Sequence, residues 1–159
     1  MVKNFRQGAI GALLDEYEKA ILELKKVIEI IPDNFLPVVV DDRTRDENCR
    51  TVQAILAHVV NAGYGYAISI HNRNGAGIVR PAKAYHTTIR QYIDDITEVF
   101  LFTENVFREV DESEVEQYDN SLKIKTSWGQ SYDIEQLAEH AIVHILRHRR
   151  QIERFNLKG

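Results

Sequence analysis

The strongest constraint on this chain is the spacing of its apolar residues. Four long stretches set Ile, Leu, Val and aromatic side chains three and four positions apart, which is the repeat of one helix face and not the alternation of a strand. The first covers residues 7–31, with a stripe of Ile10, Leu13, Leu14, Tyr17, Ile21, Leu24, Val27, Ile28 and Ile31 that Pro32 stops. The others cover residues 48–72, 82–110 and 134–155. Asp133, with Gln136 three residues on, predicts a capping box at the start of the fourth. Each such helix has one face to bury, so the expected fold is all-α: one four-helix bundle spanning residues 1–159. Two connections are long, 32–47 and 111–133. The second holds residues 121–126, whose weak alternation predicts a short strand or an extended cover. The run Val38-Val39-Val40 in the first is expected to pack against the bundle.

Composition narrows the function. Hydrophobic residues make up 44% of the 159, enough for a substantial core. Twenty basic against 24 acidic residues give a net charge of -4, a poor basis for binding nucleic acid or an anionic membrane surface. Cys49 is the one cysteine, so neither an intrachain disulfide nor a cysteine-rich zinc site is available. No stretch approaches the roughly 18 consecutive apolar residues of a membrane helix. The N-terminus lacks the apolar region of a signal peptide, and a cytoplasmic protein is expected.

The six histidines carry the chemical signal. His140, His144 and His148 lie four apart on the fourth helix, each ~40° from the next around the axis. With His144 at zero, the apolar side formed by Leu137, Ala141, Ile145, Ile152 and Phe155 spans roughly +20° to +100°. His148 therefore points inward, His144 lies at the inner edge and His140 turns toward the polar side. On the second helix His58 borders an apolar face, and its neighbours Thr51, Ala54, Asn61, Ala62 and Gly65 are mostly small. Space beside a polar ring suits an open cleft better than a packed core. If the second and fourth helices face each other, His58, His144 and His148 supply three imidazole nitrogens, a donor set for a borderline divalent metal with positions left for water or substrate.

Two segments, Ile55-Leu56-Ala57-His58-Val59-Val60 and His144-Ile145-Leu146-Arg147-His148-Arg149-Arg150-Gln151-Ile152, resemble the DinB/YfiT-like superfamily in order, spacing and helix position. The second is similar to that family's H-x-x-x-H-R-G-Q-I pattern, with Arg150 in place of the usual Gly. The resemblance implies a four-helix bundle whose metal, often zinc or nickel, is held by three histidines, here His58, His144 and His148. It further implies a thiol-S-transferase-like or hydrolytic activity on a small-molecule substrate, with a low-molecular-weight thiol as a partner. Gln151, Asn61 and His140 are the candidates for supporting roles beside the metal. Trp128 and Tyr132 are placed to cap the metal-bearing end. Cys49 is assigned to the start of the second helix as a small buried residue. The competing reading is a non-catalytic helical module that binds a metal, a partner or a stress-related ligand. The broad face of the second helix and Tyr92, Phe100, Phe102 and Phe107 of the third are the surface expected to form a homodimer.

Overall fold

Each predicted helix forms, and most are trimmed where a capping or breaking residue intervenes. The computed structural model describes residues 4–155, with helices α1 (Gly8–Ile28), α2 (Val52–His71), α3 (Ile89–Phe107) and α4 (Ile134–Arg154). Pro32 disfavours helical backbone at the residue before it, and α1 ends three residues short of Ile31, which is still buried. Thr51 starts α2 by accepting a hydrogen bond from the Ala54 amide at 2.9 Å, which leaves Glu47–Cys49 as a separate 3-10 turn. Thr88 caps α3 in the same way through the Gln91 amide at 3.3 Å, so that helix begins where its apolar stripe begins and not near residue 82. The segment before it is pinned by Tyr92, whose hydroxyl accepts from the His86 amide at 3.0 Å and donates to the Gln53 carbonyl at 3.2 Å. At α4 the capping box is present: Asp133 accepts from the Gln136 amide at 2.8 Å, and Gln136 accepts from the Asp133 amide at 3.1 Å.

α1 packs against α3 and α4, and α2 packs against the same two helices. The chain-consecutive pairs α1–α2 and α3–α4 therefore lie across diagonals of the bundle, and a diagonal crossing accounts for the two long connections. Leu24, Ile28, Ile55, Leu56, Tyr92, Ile96, Leu137, Ile145 and Ile152 fill the centre and are fully buried. Between α3 and α4 a two-stranded antiparallel hairpin pairs β1 (Ile124–Lys125) with β2 (Ser131–Tyr132), in the register Ile124 to Tyr132 and Lys125 to Ser131. Its turn uses Gly129 at a φ of +88°, a conformation that side chains rarely adopt. The weak alternation of residues 121–126 corresponds to this hairpin, which holds Trp128 at its tip.

Two expectations change. Val38 and Val39 are 41% and 53% exposed, and only Val40 packs on the core. Val39 forms an isolated bridge with Thr51, and along such extended backbone neighbouring side chains point to opposite sides. The aromatics of α3 are largely core: Tyr92, Phe100 and Phe107 are buried, Phe102 is partly buried, and Leu101 is the large apolar residue left exposed on that helix. No helix among the described residues is long and apolar enough to cross a membrane.

Candidate metal centre

The packing of α2 against α4 brings His58 to the i,i+4 pair of α4. Nε2 of His144 lies 2.9 Å from Nε2 of His58 and 3.2 Å from Nε2 of His148. One ligand nitrogen from each ring falls within 4.8 Å of the others. Three imidazoles on one ion at zinc–nitrogen bond lengths of ~2.0–2.1 Å in tetrahedral array hold their nitrogens about 3.3–3.4 Å apart, close to the His58–His144 and His144–His148 spacings. His144 and His148 are 6% and 3% exposed, whereas His58 is half-buried.

Proton accounting favours a cation at the focus. Nδ1 of His148 lies 2.9 Å from Oε1 of Gln151, an acceptor, so that nitrogen carries the hydrogen and Nε2 presents a lone pair. A single hydrogen on Nε2 of His144 would have to be shared between two neighbours. Nδ1 of His144 is buried on the other side of the ring with no hydrogen-bond partner, whether or not Nε2 holds an ion. A dication satisfies the three converging lone pairs together. Burial, reinforced by the charge of neighbouring His148, lowers His58 to about 4, and burial lowers His144 to about 2. His148 is lowered as well, chiefly by burial. All three rings are neutral at physiological pH, the state that binds metal.

The supporting candidates divide. Gln151 orients His148, as its position on the helix suggested. Asn61 turns away and donates to the Pro81 carbonyl at 2.9 Å, fastening the α2–α3 connection. His140 stands outside the cluster, stacked on Trp128 with ring centroids 5.5 Å apart and 23° between planes. Cys49 precedes α2 and is only partly buried, with Sγ 3.9 Å from Oε1 of Gln151 and 3.6 Å from Asp46. Burial pushes its thiol pKa up, which opposes the thiolate. Arg150 is exposed, away from the three rings. His71 and His86 lie in separate pairs with Glu109 and Asp95. Replacing Gln151 with Leu removes the acceptor for His148, and the zinc dissociation constant is expected to rise about 10–100-fold in a chelator-competition titration. An unchanged constant would show that Gln151 plays no part in orienting the ring.

A cleft of about 320 Å³ opens beside His58, lined by Ala62, Gly65, Tyr66, Ile68, Ser69, Arg80, Ser127 and Trp128. The small residues Ala62 and Gly65 make its floor, as their spacing from His58 suggested. Its walls come from the connections after α2 and after α3. Tyr66 and Arg80 are lining residues with polar groups that the sequence does not mark as part of the site. Tyr66 reads as core, since it falls on the apolar side of α2, yet its ring stands 5.6 Å from His144 at the cleft wall. Burial raises its hydroxyl to about 12, which keeps it a proton-bearing donor. Arg80 sits in an aperiodic segment, where no helical or strand repeat marks a side chain's direction. Comparison with protein-family models, with curated proteins and with solved structures yields no match to this chain.

Proposed function

We propose that the chain is a divalent-metal enzyme of the DinB/YfiT-like type, with His58, His144 and His148 holding the ion. The observation that carries this reading is the meeting of three imidazole nitrogens, neutral and largely buried, at the edge of an open cleft. Zinc or nickel suits an all-nitrogen set of three, and such an ion when bound acidifies a coordinated water or thiol. The protein's own part is positional. Gln151 fixes the tautomer of His148, and α2 and α4 hold the three rings against each other. Tyr66 offers a hydroxyl proton to a group in the cleft, and Trp128 screens one wall from water. The small electrophile and the low-molecular-weight thiol belong to the same reading. Purified protein is expected to take up one equivalent of zinc or nickel and to lower the pKa of added 2-mercaptoethanol, read from thiolate absorbance, by more than one unit. A chain that takes up no stoichiometric ion, or a loaded chain that leaves the thiol unshifted and hydrolyses no activated ester, overturns the proposal.

A further inference from the structure

The walls of the cleft select for charge as well as shape. Arg80 lies over the backbone of α2: a methyl group built on Gly65 would stand 2.7 Å from its Nη1 and 3.3 Å from its Cδ. Gly65 is two turns beyond His58, on the same helix face and ~10 Å along the axis. The guanidinium therefore occupies the far end of the cleft that His58 opens at the other end. No carboxylate pairs with it among the described residues, although the other arginines that line cavities here, Arg6 and Arg73, are held by Asp15, Glu18 and Glu104, and by Glu114. Tyr66 and Trp128 line the same cleft in edge-to-face contact, centroids 5.9 Å apart, and Trp128, whose ring also stacks on His140, is 46% exposed there. Arg80 is exposed at the mouth of this cleft, where its unpaired guanidinium can present its planar fork to an anion that enters beside the apolar walls. On a chain of net charge -4, Lys83 and Arg147 both act on His58 as neighbouring cations, with Asp46 opposing them.

We propose that this cleft is the binding subsite for a small carboxylic acid with a flat apolar body, and that Arg80 is its specificity-determining residue. The carboxylate takes the planar fork of Arg80, and the body lies against Tyr66 and Trp128. The opposite end of the molecule reaches toward His58. The cleft volume of about 320 Å³ admits a small molecule of this kind. The proposal deepens the metal-centre reading, on which it rests for the reacting end alone; the Arg80 contact needs no metal.

Trp128 lines the cleft and is the only tryptophan, so its fluorescence reports occupancy directly. The test titrates benzoate and its uncharged counterpart benzamide into wild-type protein, Arg80→Ala and Arg80→Lys, each in metal-free and zinc-supplemented buffer. Benzoate is expected to bind the wild type about tenfold or more tightly than benzamide with or without zinc, as a charge-assisted fork contact gives. That preference disappears in Arg80→Ala and survives in weakened form in Arg80→Lys, which keeps the charge and loses the fork. Equal binding of the two probes by the wild type, a preference persisting in Arg80→Ala, or no response to benzoate at all overturns the proposal. Zinc uptake by the wild type is measured in the same samples. Its failure counts against the metal centre, while the metal-free titration still decides the Arg80 subsite.

Discussion

Metal-free protein carrying His144→Leu is expected to unfold at a temperature no lower than metal-free wild type, while losing its stabilisation by zinc. The reason lies in what the buried His144 ring costs the fold. Its ring is 6% exposed and its Nδ1 has no partner. An unmet buried polar group carries a penalty of ~1–3 kcal/mol, which leucine removes while filling a similar volume with a better helix former. The adjacent Ile145 provides the contrast. It is buried at 2% exposure in the shared core, and Ile145→Ala leaves a cavity costing about 2–5 kcal/mol. Zinc at a thousandfold excess over its dissociation constant adds about 4 kcal/mol to a folded chain that binds it. At this size that is roughly 8–16 °C in Tm. Thermal unfolding with and without zinc should therefore give wild type a large shift and Ile145→Ala the same shift from a lower start. His144→Leu should show almost none. An undiminished zinc shift in His144→Leu would remove His144 from the centre, and with it the three-nitrogen reading.

The opposed stability and binding effects at neighbouring positions explain which parts of this protein were legible in its sequence. Helix existence follows from apolar spacing, and Ile145 is one bead of that stripe. Helix ends follow from local chemistry that the stripe does not contain: Thr51 and Thr88 start α2 and α3 later than the polar flanks suggest. His144 and His148 were legible because a helix makes angle a function of position. Gln151, seven residues after His144 and so ~20° from it around the axis, shares that helix face, and the structure bonds it to His148. It brought Asn61 near His58 as well, but a wheel fixes only direction, and the Pro81 carbonyl competes for that amide. Arg80 and Trp128 lie in connections, where only the fold decides which side chain reaches the cleft. Val39 shows the same limit: one bridge to Thr51 sets which valine faces out.

Acid should release the metal late and destabilise the empty protein early. Protons and metal compete for the same ring nitrogens, so a site built from ordinary histidines weakens once pH falls below about 6.5. Here burial lowers His58 to about 4 and His144 to about 2, and lowers His148. Lys83 depresses His58 further, Asp46 opposes it, and Arg147 adds a smaller depression. Zinc affinity is therefore expected to stay level through about pH 6.5, where ordinary histidines weaken, and to fall only at lower pH, as the rings begin to take up protons. Folding stability of the metal-free chain follows the opposite course. Each folded-state pKa lies below its unfolded value, so between about pH 6.5 and pH 4 the unfolded chain binds more protons than the folded one. Stability is then complete above about pH 6.5 and declines as the solution is acidified through that window. Urea midpoints of metal-free protein should accordingly drop between about pH 7.5 and pH 5, and drop less in His144→Leu, which lacks the most depressed ring. Zinc should restore the wild-type midpoint at about pH 5.5, where the site still binds while the empty fold is already weakened. Affinity that begins to fall at about pH 6.5, together with a midpoint that acid leaves unmoved, would mean that these rings are solvated like surface histidines and that the buried three-ring cluster does not form.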